Sequence, residues 1–215
     1  DLHLNTVAVI LLAAGFAARM VVASRSYLNP DEALHYLLIN QTSAFLAYKA
    51  SLTNAHPPLF FLLIYFWHFL GNSEWMLRLP SILAGTGLGW VVFKWTGNVF
   101  GRTAGLIALI MATFSPSLIA LSAEVRDYSL LLLCMVTALY FLGLALQEKS
   151  VPHMSYFSFF LCLTILTHYS AVFFAVAAGL YVLAKITDAP FPRKVIFAWV
   201  IGQLTALGIC GFLFL

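Results

Sequence analysis

Leu4 to Ala23 is an apolar run of about 20 residues, the length a helix needs to cross a hydrocarbon core of roughly 30 Å. Similar runs lie at 80–100, 103–123, 127–147 and 195–215, with two shorter arms at 154–168 and 169–186 that read either as two crossings, which keeps Lys149 and Lys185 on one side, or as one long tilted helix; short polar stretches at 101–102, 124–127, 147–150 and 188–194 join the runs. Repeated runs of this length predict an all-α polytopic membrane protein, with one transmembrane domain over 1–215 and about seven spans. Composition agrees. The chain is 62% hydrophobic and 9% charged with mean hydropathy +0.95, whereas a soluble domain carries roughly 25% charged residues. The first run lacks a basic start and a convincing cleavage site, so it reads as a retained span rather than a signal peptide. With no initiator Met and an end inside an apolar run at Leu215, the chain is expected to be an N-terminal piece of a longer protein.

The same pattern excludes other classes. The basic residues are scattered through loops and form no stripe, so no nucleic-acid partner is expected. Cys134, Cys162 and Cys210 all sit in apolar runs without CxxC or Cys/His spacing. They read as buried free thiols, neither a disulfide framework nor a zinc site.

One apolar run does not fit a span. Residues 57–71, PPLFFLLIYFWHFLG, would reach only roughly 22 Å as a helix, against a core of roughly 30 Å. If it does not cross, residues 24–79 form one long external loop. Lys94, Arg102, Lys149, Lys185, Arg193 and Lys194 then lie inside, and Arg25, Lys49, Arg78 and Arg126 outside, in the direction of the positive-inside rule. Asp31, Glu32, Glu74, Glu124 and Asp127 all fall on the external face under this topology. A juxtamembrane or re-entrant helix is therefore expected at 57–71. Gly85, Gly87 and Gly89 suit close helix packing.

The external face collects the residues able to do chemistry. In NPDEALHY, residues 29–36, Asn29 can cap a helix, Pro30 suits its first position, and Asp31 and Glu32 suit its first turn. Asn-x-x-Glu resembles a capping box. Helix capping alone would thus explain the residue types. Asp31 and His35 also share a helix face at i,i+4, and a carboxylate beside an imidazole at a membrane surface is a candidate general base. NAHPPLFF, residues 54–61, opens the short helix after an extended residue and turns His56 toward the polar layer. SAEVRDYSLLL, residues 122–132, supplies Glu124, Arg126, Asp127 and Tyr128. There Arg126 reads either as a partner of Glu124 or Asp127, or as a phosphate ligand, for which its fork is suited; Tyr128 suits an aromatic belt. LTHYSAVFF, residues 166–174, places His168 and Tyr169 at the tip between two short arms. Carboxylates and an arginine on one face beside apolar walls suit a lipid-linked phosphate.

The ordered set DEALHY, HPPLFFLLIYFWHFLG, EWMLRLPSILAG, FGRTAGLIAL, SPSLIALSAEVRDYSLLL and LTHY, within residues 27–186, resembles the bacterial glycosyltransferases related to protein O-mannosyltransferases. These are the family 39-like enzymes of GT-C fold. The resemblance implies an integral, inverting enzyme of the bacterial inner membrane. It would take a sugar, hexosyl or pentosyl, from a polyprenyl-phosphate donor on the external face and pass it to a hydroxyl of a protein, lipid or glycan. It makes Asp31 the catalytic base and gives Glu32 an orienting or assisting part. Arg126 becomes the ligand of the lipid phosphate, with His56, Glu124, Tyr128, His168 and Tyr169 lining the substrate site. Asp127 departs from the family pattern, which usually has an apolar residue there. No cofactor is certain. A divalent cation, Mg²⁺ or Mn²⁺, would find oxygen ligands on Asp31 and Asp127. The competing classes are a transporter or flippase, against which stand the missing internal repeat and the one-sided charges, and a noncatalytic membrane subunit.

Overall fold

The computed structural model describes residues 2–54, 56–188 and 190–214, and every regular element among them is helical. Among the described residues five helices are long and apolar enough to cross a membrane: α1 (Leu2–Ala23), α5 (Glu74–Phe100), α8 (Tyr128–Glu148), α10 (Ala171–Asp188) and α11 (Arg193–Phe214). The protein is an all-α polytopic membrane protein. Between α1 and α5 lie three short helices, α2 (Pro30–Ile39), α3 (Ala44–Ser51) and α4 (Leu59–Trp67), the last continued by a 3₁₀ turn at His68–Leu70. The chain divides into two compact units after Leu133.

Three expected spans take a different form. The run at 154–168 becomes Val151–Thr167, an apolar helix shorter than the five of spanning length. The run at 103–123 is broken into α6 (Arg102–Phe114) and α7 (Pro116–Ser122), bent by 58°. The cause is Pro116, which disfavours the helical region for the residue before it. Ser115 is accordingly extended, at φ −61° and ψ 121°, and its hydroxyl caps α7 at the Leu118 N–H. The run expected from 80 begins earlier, at Glu74, with Pro80 inside the helix. Pro80 has no N–H to give to the carbonyl four residues back. That carbonyl, on Met76, accepts Trp67 Nε1–H instead, at 3.0 Å. The indole thereby ties the end of α4 to α5.

In the first unit, α1, α5, α6 and α7 pack closely around Ala23, Ile82 and Ala123 toward one end and Ala8, Phe93 and Leu109 toward the other. Gly85 is required there, because a Cβ on it would meet Ser122 Oγ at 2.1 Å. Arg19, buried in α1, donates from Nη1 to the carbonyls of Gly15 and Thr113. A cation at the C-terminal turn of α6 satisfies a carbonyl freed by the break and suits the helix dipole.

The short helices carry a core of their own. Ile39, Ala47, Phe60, Phe61, Ile64 and Tyr65 pack with Leu77 of α5 and Val125. At roughly 25 cal/mol per Å² of apolar surface removed from water, such a cluster is enough to seat this layer on the helix ends. It sets where α2 lies, and α2 carries Asp31 and Glu32. In the second unit, α9 (Val151–Thr167), α10 and α11 pack together, with Gly202 of α11 against Ser158 of α9.

Candidate functional site

The start of α2 is a full capping box. The Asn29 side chain accepts the Glu32 N–H and the Glu32 carboxylate accepts the Asn29 N–H, both at 2.9 Å. Such a box leaves a carboxylate pinned over the first turn, and here the pinning continues. Glu32 Oε1 accepts from Arg78 Nε and from the Val125 N–H, each at 2.8 Å, and Oε2 accepts from Arg78 Nη2 at 2.8 Å. Arg78 gives its remaining hydrogens to Ala23 O at 2.6 Å, Ser26 O at 2.7 Å and Tyr27 O at 3.0 Å. A guanidinium has five N–H donors, and all five are used. Both side chains are 1% exposed. The pair closes the α1–α2 turn onto α5. Its desolvation is offset by bidentate geometry and by filling the remaining lone pairs.

Burial alone would push the Glu32 carboxyl up. The Arg78 fork and the Asn29 and Val125 N–H groups outweigh it and hold the carboxyl below its ordinary value. His35, one turn along on the same helix face, places Nδ1 2.7 Å from Val125 O. Burial holds the His35 imidazolium down, only partly offset by that bond and by the charge of Asp127, so the ring is neutral and Nδ1–H donates. Val125 is thus gripped at both ends of its peptide by α2. Ser81 Oγ adds a bond to Arg126 O at 2.9 Å.

This grip aims the next side chain. Arg126 Nη1 donates to Asp31 Oδ2 at 2.7 Å; the Arg126 side chain is 21% exposed and the Asp31 side chain 63%. The Arg126 guanidinium lies 5.0 Å from the Tyr128 ring centre, and its Nη2 reaches the Tyr128 hydroxyl at 3.4 Å. Its Nε is buried with no hydrogen-bond partner among the described residues. Asp127 points inward and is buried, with His56 Nδ1 3.3 Å from its Oδ2. The His56 ring meets those of His35 and Tyr128 edge to face, at 6.0 Å and 6.4 Å.

The structure therefore brings Asp31, Arg126 and Tyr128 together in one group and His56 and Asp127 in another beside it. It does not pair Asp31 with His35: Asp31 faces outward while His35 is buried on Val125. Arg126 pairs with Asp31 across the fold rather than with Glu124 or Asp127, its neighbours in sequence. Glu124 is half-buried, and its carbonyl accepts the Arg126 N–H at 2.9 Å. His168 and Tyr169 belong to the second unit, at the turn from α9 to α10. His168 Nδ1 accepts the Ser170 N–H there at 3.0 Å. The expected cation ligands have different partners, Asp31 a guanidinium and Asp127 an imidazole.

In the sequence Arg78 is legible only as a charge on the external side. Its place at the mouth of the apolar run after Trp75, with Pro80 two residues on, was the signal, because an ionisable group at membrane depth calls for a named partner.

Comparison with known proteins supports a mannosyltransferase-related family. The profile of the dolichyl-phosphate-mannose-protein mannosyltransferase family matches residues 55–212. A search of curated proteins returned no match. The chain belongs to that family, whose membrane-embedded glycosyltransferases use a polyprenyl-phosphate-linked sugar donor.

Proposed function

We propose that this chain forms the donor and base side of an inverting glycosyltransferase. It passes a sugar from a polyprenyl phosphate to a hydroxyl acceptor on the external face of a bacterial inner membrane. Asp31 is the base and Arg126 the phosphate ligand. The observation that carries this reading is the contrast between the two acidic neighbours: Glu32 has its lone pairs filled by four donors, whereas Asp31 is 63% exposed with Arg126 as its ion-pair partner. Of the two, Asp31 is available for proton transfer. Glu32 is assigned to positioning: it holds Val125 so that Arg126 stands opposite Asp31.

In an inverting displacement the acceptor oxygen attacks the anomeric carbon on the face opposite the leaving phosphate. Asp31 takes the acceptor's proton as the new carbon–oxygen bond forms. The old carbon–oxygen bond breaks, and its electron pair leaves on the polyprenyl phosphate, whose charge Arg126 receives. Base and phosphate ligand must then stand apart by a hydrogen bond of about 3 Å and an attack distance of about 3 Å, and further by the breaking carbon–oxygen bond and the contact from phosphate to Arg126. The observed contact of 2.7 Å is therefore the resting arrangement, and donor binding inserts the sugar between the two groups. Opening an exposed ion pair of this kind costs about 0–1 kcal/mol, small beside what a phosphate returns to a guanidinium fork. His56, Glu124 and Tyr128 are assigned to the walls of the same site.

The test is sugar transfer by the full-length protein in proteoliposomes, offered a panel of polyprenyl-phosphate hexoses and pentoses with and without a chelator. Arg126→Gln should raise the KM for the donor while altering stability by no more than about 1 kcal/mol. Transport of a lipid-linked sugar without transfer would overturn the reading in favour of a flippase.

A further inference from the structure

The second unit holds a cavity of about 580 Å³ along the seam of α9 and α11, within the roughly 300–1,000 Å³ of small-molecule sites. Its walls run from Val151 to Cys162 on α9 and from Lys194 to Thr205 on α11. Each is an eleven-residue rise, roughly 16 Å. That is one leaflet of a core roughly 30 Å thick. The hydroxyls in the α9 wall are already used: Ser155 Oγ donates to Val151 O at 3.1 Å and Ser158 Oγ to Met154 O at 3.0 Å. The wall is thus apolar in effect, and Phe159, Phe197 and Ile201 are exposed along it. One end only is charged. Lys194 lines it, and Arg193 adjoins Lys194 in the chain.

We propose that this groove binds one acyl chain of an anionic glycerophospholipid from the leaflet at the Lys194 end, with Lys194 on its phosphate. Length decides between occupants. A spanning helix needs a track across the whole core, whereas this one is a leaflet deep, as an acyl chain is. Charge decides the headgroup, because a lysine at the interfacial mouth favours an anionic lipid over a zwitterionic one.

The experiment uses the full-length protein and phospholipids with a photoreactive group in one acyl chain, in phosphatidylglycerol and phosphatidylcholine forms, with crosslinked peptides mapped by mass spectrometry. Crosslinks are expected on Phe159, Phe197 and Ile201, with phosphatidylglycerol favoured about fivefold. Ser155→Trp, which fills the groove from an exposed position, should abolish them, while crosslinks elsewhere persist. Lys194→Gln should keep them but remove the headgroup preference. Unchanged crosslinking in Ser155→Trp overturns the proposal, as does equal labelling by the two lipids in wild type. So does an absence of crosslinks on α9 and α11 because another segment of the chain covers the groove.

Discussion

Asp31 and Glu32 are neighbours in sequence, both carboxylates, each facing an arginine brought from a distance. One pair, Glu32–Arg78, is 1% exposed on both sides, and every donor and acceptor in it is used. The other, Asp31–Arg126, lies at the surface with 63% of the carboxylate side chain open. A step of one residue on a helix turns a side chain by about 100°, and that turn is the whole difference. It sends Glu32 into the seam between α1, α5 and the Val125 turn, and Asp31 out. Saturation makes Glu32 an anchor, and openness leaves Asp31 accessible. The anchor holds Val125, and with it the turn that carries Asp31's partner Arg126.

The largest effect should come from breaking the closed side. Arg78→Met leaves the Glu32 charge buried and strands three carbonyls, so a loss of about 3–5 kcal/mol in unfolding free energy is expected. Denaturant unfolding in detergent would measure it. Adding Glu32→Leu should recover only part, because the Ala23, Ser26 and Tyr27 carbonyls stay unpaired; full recovery would mean that the clasp is not organised as described.

Acid should separate the two sides next. His35 is held below its ordinary 6.5 by burial, so below pH 6.5 the unfolded chain takes a proton that the folded chain refuses, and stability present above that pH is lost as it falls. Glu32, held below 4.5, adds the same loss below pH 4.5. Thermal unfolding from pH 8 to 5 should show the first fall, and His35→Gln should flatten it.

Trp67→Phe removes the bond that covers the carbonyl left free by Pro80, and should cost about 1 kcal/mol. The open side should give the smallest change. Arg126→Gln is expected to alter stability by no more than about 1 kcal/mol. A larger loss would show that the surface pair is also an anchor.

Much of the fold was legible because apolar run length and capping chemistry act locally. The Asn29–Glu32 box and the short helix after Pro57-Pro58 follow from nearest neighbours. The break at Ser115-Pro116 was equally local, but a long apolar run masked it. The clasp was not legible, since Arg78 is 46 residues from Glu32 and Val125 is 93, and nothing in either stretch says which arginine meets which carboxylate. Asp31 was legible as a carboxylate in the first turn of a helix, while its exposure depended on that distant contact. Nor could His35 be placed, because its partner is a backbone carbonyl and leaves no side-chain signature.

The most direct measurement compares Asp31→Asn with Glu32→Gln in the full-length protein, reading sugar transfer and thermal stability in the same preparations. Asparagine keeps the size of the side chain but cannot accept the proton. Asp31→Asn should therefore unfold like wild type and lose about 10²–10⁴-fold in transfer, while Glu32→Gln should lose stability and, in the protein that stays folded, a smaller part of its transfer, because Arg126 is less firmly held opposite Asp31. Wild-type transfer by Asp31→Asn would contradict the account.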